Sequence, residues 1–361
     1  MIKELKIKSG QGDYNVYFFS ELSDFLESST FEESDYYVLI DQKVMEIYND
    51  RLGSIKNYPT FVISAIEESK TLEKVSDLSY WLAENGATKS SKILAVGGGI
   101  IQDIATFTAH IYKRGISWEY LPTTLLSQSD SCIGAKCGIN LMPNKNQLGV
   151  MHSPNRVWIV SEFLKSLELN VFCSGYGEIL KLSLTQPHQF YGTFKEVIAT
   201  QGFDIESSFH LTQLSLRAKQ AVIEEDEYEK DLRRILNYGH SFGHALESVT
   251  HNFVDHGFAV LFGIDIMNFL SVKWGYLGTK EREDIRKTIS DNFSTNFLPR
   301  KVTADELINT IKSDKKVSDG KMHFAILNRN YKLEIIAVPI DDKLKSEVEE
   351  YLSNDSIFTI A

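Results

Sequence analysis

The sequence has few cysteines, no excess of positive charge and no long apolar run. Its 361 residues include three cysteines and carry a formal net charge of -11. Three cysteines without paired spacing argue against a disulfide framework and favour a reducing compartment, so we expect a cytoplasmic protein. The negative charge argues against nucleic acid or an anionic membrane as a partner. The sequence shows neither a signal-peptide core nor an apolar run approaching the ~18 residues of a membrane span.

The overall composition is typical of a globular protein, with 43% hydrophobic and 24% charged residues. This length favours two domains. Up to residue 162, short apolar runs alternate with amphipathic stretches, which is typical of βαβ units. We therefore predict an α/β domain with a parallel, Rossmann-like sheet over residues 1–162. Its strands are expected at residues 15–20, 36–41, 61–64, 92–96, 118–121 and 156–160.

After residue 162 the periodicity changes to long amphipathic stretches with helical spacing. Residues 163–361 are therefore predicted to form a mainly α-helical domain. Two strands are expected near its end, at 321–327 and 332–338. Its helices are expected at 169–184, 191–200, 211–225, 231–249, 257–274, 280–292 and 341–354.

Two histidines four residues apart, His240 and His244, fall on one face of a predicted helix. This spacing lets two imidazoles close on a single metal ion. His256 begins a further helical pattern, and Glu178 lies three residues before Lys181. Glu178, His240 and His256 would make a three-ligand site with an open position, as catalytic zinc sites have. The spacing alone equally suits ordinary core or surface histidines.

Two features of the first half could bind a nucleotide. Gly97-Gly98-Gly99 follows a predicted strand and begins a helix, where backbone N–H groups can approach a pyrophosphate. It is not the Gly-x-Gly-x-x-Gly fingerprint, and a tight turn explains it equally well. Asp41 ends a strand, where a carboxylate can bind ribose hydroxyls or cap a helix. Residues 121–149 are rich in hydroxyl, amide, glycine and lysine groups, which favours a functional loop over a solvated one.

These motifs, in this order, resemble the 3-dehydroquinate synthase family of the sugar phosphate cyclases. The resemblance runs from about residue 41 to residue 320, and Gln102 and Cys137 depart from the family pattern. The motifs are Gly97-Gly98-Gly99-x-x-x-Asp103, Arg114-Gly115, Pro122-Thr123-Thr124, Asp130-Ser-x-x-Gly-x-Lys136, Lys145-Asn146, Glu178-x-x-Lys181, Arg233-x-x-x-Asn237-x-Gly-His240-x-x-Gly-His244, His256-Gly257 and Asp314-Lys315-Lys316.

The resemblance implies NAD and a divalent metal, Zn²⁺ or Co²⁺, as cofactors. The implied metal ligands are Glu178, His240 and His256. The implied NAD-binding residues are Asp41, Glu67, Lys70, Gly98, Gly99, Asp103, Thr123, Thr124 and Lys145. The implied catalytic residues are His244, Lys181, Asn146 and Asp130. The residues implied to bind substrate are Arg114, Lys136, Lys219, Arg233, Asn237 and one of Lys315 and Lys316.

The implied substrate is a small sugar phosphate, the seven-carbon acid phosphate DAHP. The implied reaction is transient oxidation by NAD, phosphate elimination, re-reduction and aldol closure to a carbocycle, without net redox. Arg114 is expected to reach the substrate of a neighbouring subunit, which implies a homodimer. Two alternatives remain open. One is a sister cyclase of the epi-valiolone or deoxy-inosose synthase type, and the other is a metal-dependent polyol dehydrogenase of the glycerol dehydrogenase type.

Overall fold

The computed structural model describes residues 3–28, 31, 34–141, 144–185, 189–312, 317–318 and 320–361. The chain divides into two compact units. The first comprises Met1–Glu168 and Ser208–Glu227, and the second comprises Leu169–Ser207 and Tyr228–Ala361. The predicted domain division after residue 162 stays a prediction. Within the part of the chain that is described, every helix is too short or too polar to cross a membrane.

A seven-stranded sheet forms the core of the first unit, in the order β1-β2-β9-β6-β5-β3-β4. Its pairs are parallel except for the antiparallel pair of β1 and β2. The central strands are buried along nearly their whole length, as expected when both faces of a parallel sheet are covered. The strands of this unit are β1 (Glu4–Ile7), β2 (Tyr14–Phe19), β3 (Tyr36–Asp41), β4 (Thr60–Ile63), β5 (Lys92–Gly97), β6 (Ser117–Pro122), β7 (Lys136–Leu141), β8 (Asn144–Met151) and β9 (Arg156–Val160).

The helices of the first unit follow the strands, as the alternating pattern predicted. They are α1 (Leu22–Leu26), α2 (Gln42–Tyr48), α3 (Leu72–Glu84) and α4 (Gly99–Ile111). Asp41 caps α2 by accepting from the N–H of Lys43, and Thr71 caps α3 by accepting from the N–H of Lys74. Such caps satisfy N–H groups that have no partner within the helix.

The polar stretch predicted as a functional loop is more regular than expected. Ser127–Ser131 forms a π-helical turn, and β7 and β8 pair as an antiparallel hairpin. The prediction of a loop was therefore wrong over Ser127–Ser131, over Lys136–Leu141 and over residues 144–149. β8 contains few apolar residues and its side chains are mostly exposed or half-buried, so the hydrophobic alternation that marks a strand is weak.

The second unit is mainly helical, as predicted. It also contains a parallel two-stranded sheet of β10 (Asn296–Leu298) and β14 (Thr359–Ile360), and an antiparallel sheet of β11 (Val317–Ser318), β12 (Lys321–Leu327) and β13 (Leu333–Pro339). The helices from this point of the chain are α5 (Leu169–Ser183), α6 (Gln189–Gln201), α7 (Ile205–Glu225), α8 (His240–Val249), α9 (His256–Lys273), α10 (Thr279–Asn292), α11 (Ala304–Lys312) and α12 (Asp342–Asn354). The residues of α7 from Ser208 onward belong to the first unit.

One predicted helix is broken in two. The stretch expected as a single helix at 231–249 is a 3₁₀ helix, Leu232–Asn237, followed by α8. Gly239 precedes α8 with a φ of +77°, a left-handed conformation that favours glycine. By contrast α9 begins at His256, as predicted, and is buried from Gly257 to Ser271. The break places His240 in the first turn of its helix.

Candidate metal centre and cofactor-binding residues

A carboxylate and two imidazoles from three helices of the second unit meet at one point. Glu178 lies on α5, His240 on α8 and His256 on α9. Glu178 Oε1 is 2.9 Å from His256 Nε2 and 3.2 Å from His240 Nε2. The side chain of Glu178 is fully buried, so these nitrogens face its charge without intervening bulk solvent. The predicted metal ligands are therefore brought together.

Two glycines next to these ligands let the helices approach backbone to backbone. A Cβ atom on Gly257 would lie 1.8 Å from the carbonyl oxygen of Ser174, and one on Gly177 would lie 2.4 Å from the carbonyl oxygen of Gly257. The N–H of Gly257 also donates to Ser174 Oγ at 2.8 Å. Helices α5 and α9 thus touch beside Glu178 and His256, at a separation that a side chain would prevent.

The ring of His240 is oriented by the backbone. Its Nδ1 lies 3.2 Å from the carbonyl oxygen of Tyr238, which can only accept, so Nδ1 carries the proton. Burial lowers the pKa of His240 and keeps the imidazole neutral. The Nε2 lone pair then faces the carboxylate of Glu178, and two buried acceptors 3.2 Å apart call for a cation between them. This arrangement fits a bound metal ion.

The charges around Glu178 and His256 also favour a bound metal ion. Burial would raise the pKa of Glu178, but the ammonium of Lys181, 2.5 Å from Oε2, holds it well below its usual range. Burial would lower the pKa of His256, but hydrogen bonds to the carboxylates of Glu178 and Glu247 raise it to about 10. In the metal-free protein, His256 therefore holds a proton that a divalent cation displaces on binding. One oxygen and two nitrogen donors form a set that suits Zn²⁺ and related ions.

His244 lies beside this centre. Its ring centroid is 5.1 Å from that of His240 and 5.7 Å from that of His256. Ligand atoms of the three histidines all lie within 4.8 Å of one another, so His244 is a further donor in reach of the same ion. His244 is exposed, whereas His240 and His256 are half-buried. Its exposure suits the predicted role in proton transfer, which stays a prediction.

In the first unit, four predicted NAD-binding residues lie just after the ends of β5 and β6. They are Gly98, Gly99, Thr123 and Thr124. Gly98 is the N-cap of α4 and has no side chain that could accept from the N–H groups of the first turn. These N–H groups are therefore available to a ligand. The N–H of Thr123 donates to the carbonyl of Gly97, and a Cβ on Gly98 would lie 3.0 Å from Thr124 Cγ2. Carboxyl ends of parallel strands beside a helix N-terminus favour a phosphate-bearing ligand.

A second polar cluster surrounds Lys70, whose side chain is buried. Its Nζ lies 2.6 Å from Asn146 Oδ1, 3.1 Å from Asp103 Oδ2 and 3.6 Å from Glu67 Oε1. Burial raises the pKa of Asp103, although Lys70 and the N–H of Gly138 act against the shift. The structure thus groups three predicted NAD-binding residues with Asn146, which was predicted to act in catalysis.

Asp130 and Lys219 form an ion pair, with 2.6 Å between Asp130 Oδ1 and Lys219 Nζ. The π-helical turn that carries Asp130 is fixed to α4 by two reciprocal hydrogen bonds. Gln102 Nε2 donates to the carbonyl of Ser131 at 2.7 Å, and Ser131 Oγ donates to Gln102 Oε1 at 2.6 Å. Gln102, where the sequence departs from the family pattern, is therefore a structural contact to a predicted catalytic segment.

The remaining predicted residues differ in their exposure and in their contacts. Asp41 caps α2, which agrees with the alternative explanation of this residue and leaves a role in NAD binding untested. Arg233 is buried, and Asn237 Nδ2 donates to Glu229 Oε1 at 2.6 Å. Lys145 is half-buried, whereas Arg114 and Lys136 are exposed. Lys315 and Lys316 lie outside the described residues.

Comparison with known proteins identifies the family. Residues 60–174 match the model of the 3-dehydroquinate synthase N-terminal domain, and residues 175–317 match that of the C-terminal domain. A 3-dehydroquinate synthase of Clostridium tetani is 31% identical over 368 residues, which cover 98% of this chain and 96% of that protein. The chain belongs to the 3-dehydroquinate synthase family. The predicted family is thus confirmed.

Solved structures confirm the fold of this 3-dehydroquinate synthase family member. A 2-deoxy-scyllo-inosose synthase complexed with carbaglucose-6-phosphate, NAD⁺ and Co²⁺ has a TM-score of 0.85 at 22% identity, covering 97% of this chain and 99% of that one. A 2-epi-5-epi-valiolone synthase from Streptomyces hygroscopicus, with NAD⁺ and Zn²⁺ bound, has a TM-score of 0.81 at 22% identity, covering 95% and 99%. The predicted α/β plus helical architecture is therefore correct.

Two residues that sequence reasoning did not single out touch the candidate sites. Glu247 lies seven residues after His240, and its Oε2 is 3.3 Å from His256 Nδ1. Asn140 Nδ2 donates to Glu67 Oε1 at 2.8 Å, and Asn140 Oδ1 accepts from the N–H of Asn146. The spacing of Glu247 from His240 corresponds to two helical turns, so a search of that helical face would have found it.

Proposed function

We propose that this protein catalyses the 3-dehydroquinate synthase reaction, the NAD- and metal-dependent conversion of DAHP to a carbocycle with loss of phosphate. As a reaction class this is a phosphate-eliminating carbon–oxygen lyase. The observation that carries the proposal is that Nε2 of His240 and Nε2 of His256 both lie within 3.2 Å of Glu178 Oε1, in a chain that belongs to this family. The matching residues Lys219 and Arg233 favour an acidic substrate.

In this proposal Glu178, His240 and His256 hold the divalent metal. When bound, the metal supplies a Lewis acid that polarises the reacting carbon–oxygen bond. The tautomer of His240 is set in advance by the carbonyl of Tyr238, so its lone pair is available without rearrangement. Lys181 keeps Glu178 ionised at neutral pH, because its ammonium stabilises the carboxylate against burial.

The residues around α4 are proposed to bind NAD, which supplies a reversible hydride acceptor. Gly98 and Gly99 would present backbone N–H groups to its phosphates, with Thr123 and Thr124 alongside. Asp41, Glu67, Lys70, Asp103 and Lys145 complete the proposed set. Lys70 holds Asp103 and Asn146 in fixed positions in the structure, which limits the reorganisation needed on binding.

The cationic residues account for the two negative groups of the substrate. We assign Arg233 to the carboxylate, because a guanidinium matches a carboxylate with two parallel hydrogen bonds. Lys136, Lys181, Lys219, Asn237 and one of Lys315 and Lys316 complete the proposed substrate contacts. These positive groups attract an anion to a protein whose net charge is -11.

Proton transfer is assigned to His244, with Asn146 and Asp130 as supporting groups. An exposed imidazole can exchange protons with solvent, and histidine is the side chain most often used for general acid–base catalysis. Asp130 pairs with Lys219 in the structure and so holds its carboxylate in one orientation.

We further propose a homodimer in which Arg114 reaches the substrate phosphate of the neighbouring subunit. Its exposed position on the 3₁₀ turn Tyr112–Arg114 leaves the guanidinium accessible to a second chain. The three free cysteines favour the cytoplasm, where thiols remain reduced.

A second candidate function is that of a sister cyclase, because the two solved cyclases named above share the fold. A release assay with three substrates separates the possibilities. Phosphate is measured after adding DAHP, a heptulose 7-phosphate or glucose 6-phosphate, with NAD and Zn²⁺ present. We expect release from DAHP, with loss of activity when a chelator is added. Release from either of the other two sugars but not from DAHP would identify a sister cyclase.

Replacing Arg233 with alanine should weaken the use of the acidic substrate. Truncating one partner of a buried charge pair costs about 2–5 kcal/mol, so kcat/KM for DAHP should fall by roughly 30-fold or more. Arg234→Ala is the matched control, because the neighbouring Arg234 is exposed. Unchanged kinetics in the Arg233 variant would contradict its assignment to the carboxylate.

A further inference from the structure

Glu247 is a mostly buried carboxylate beside the candidate metal centre, with 15% of its side chain exposed. It lies on α8, the helix that also carries His240 and His244. Its spacing of seven residues from His240 and three from His244 places all three on one helical face. One helix therefore presents two imidazoles and a carboxylate to the same region.

Glu247 contacts Nδ1 of His256, the ring nitrogen that Glu178 does not contact. Glu247 Oε2 lies 3.3 Å from His256 Nδ1, and Glu178 Oε1 lies 2.9 Å from His256 Nε2. A carboxylate only accepts hydrogen bonds when ionised, so Nδ1 donates its proton to Glu247. In a metal-bound ring Nε2 then carries the lone pair, which is the form that a metal ligand needs.

The two histidines thus differ in what orients them. His240 donates from Nδ1 to the neutral carbonyl of Tyr238, whereas His256 donates to a charged carboxylate. A carboxylate acceptor both fixes the ring and raises the basicity of the distal nitrogen. His256 lies in the first turn of α9 and its side chain is 30% exposed, so its ring needs more restraint than that of His240, which is 12% exposed.

We propose that Glu247 is a positioning residue that orients His256 and strengthens its bond to the divalent metal. This inference rests on the proposed metal centre but concerns a residue outside the ligand set. Removing such a hydrogen-bond partner lowers metal affinity about 10- to 100-fold in comparable sites. A purely structural Glu247 would instead affect the stability of the metal-free protein and leave the affinity unchanged.

The test compares Glu247→Ala and Glu247→Gln with the wild-type protein. Metal-free protein is titrated with Zn²⁺ in a competing chelator, and the bound metal is measured by elemental analysis. We expect affinity to fall about 10- to 100-fold in Glu247→Ala and less in Glu247→Gln, because an amide oxygen accepts the same bond without its charge. Thermal unfolding of the metal-free variants is recorded in parallel, and Glu247→Gln decides the matter should the alanine variant fail to fold.

Glu347→Gln is the matched control. This buried carboxylate lies in the same unit, on α12, and accepts from Trp274 Nε1 at 2.9 Å. It should bind Zn²⁺ like the wild type. Wild-type affinity in the Glu247 variants would overturn the inference while leaving the proposed function intact. A wild-type protein that binds no divalent metal would overturn both.

Discussion

Replacing His240 with alanine is expected to abolish metal binding and activity while leaving the fold intact. The imidazole provides one of the proposed donors, and its neighbour Glu178 would face an incomplete site. Loss of Lewis-acid stabilisation worth several kcal/mol lowers kcat/KM about 10³-fold or more. The metal content is measured by elemental analysis and the fold by circular dichroism.

His210→Ala is the control for that experiment, because His210 is an exposed histidine on α7. It should retain both metal and activity. A His240 variant that keeps a full equivalent of tightly bound metal would count against the ligand assignment, even if its activity fell.

Among the variants proposed here, Gly257→Ala should cause the largest loss in the free energy of unfolding. The added Cβ would lie 1.8 Å from the carbonyl oxygen of Ser174, an overlap that only a backbone shift relieves. Overpacking of this kind costs about 3 kcal/mol, the upper end of the usual range, because the opposing atom is main chain. Separation of α5 from α9 should also move Glu178 away from His256 and reduce metal affinity. Urea unfolding of the metal-free protein measures the first effect.

Gly192→Ala provides a matched comparison in a helix of the same unit. A Cβ on Gly192 meets nothing within 4 Å, and the residue lies inside α6. Alanine in a helix interior is about 0.5–1 kcal/mol more favourable than glycine, so this variant should be as stable as wild type or slightly more stable. Equal destabilisation of both variants would show that helix packing at Gly257 is not the cause.

The elements that could be predicted are those whose sequence signal is strong and local. The apolar run at Tyr36–Asp41 and the glycine turn before α4 gave the strand–turn–helix pattern of the first unit. The start of α9 at His256 was also predictable, because a long apolar helix follows it. The break at Gly239 was not predictable, because α9 packs so close to this residue that a Cβ on it would lie 2.9 Å from the carbonyl oxygen of Val260, and local sequence does not show that approach.

In the candidate site, too, contacts between distant segments could not be predicted from the sequence. The sequence motifs predicted Glu178, His240 and His256 as metal ligands, and these residues lie on three helices up to 78 residues apart in sequence. The sequence does not show how these helices come together, since that depends on the close contact of Gly177 with Gly257. Glu247 was missed because one carboxylate on a helix is more often a solvated surface charge.

The proposed cyclase reaction is tested most directly by following NAD during turnover. The enzyme, with metal bound, is given DAHP in large excess over NAD, and phosphate and reduced nicotinamide are followed together. A cyclase that returns its hydride should release many equivalents of phosphate for each NAD, with no accumulation of NADH. Formation of one NADH per turnover without phosphate release would contradict the cyclase reaction and indicate a polyol dehydrogenase.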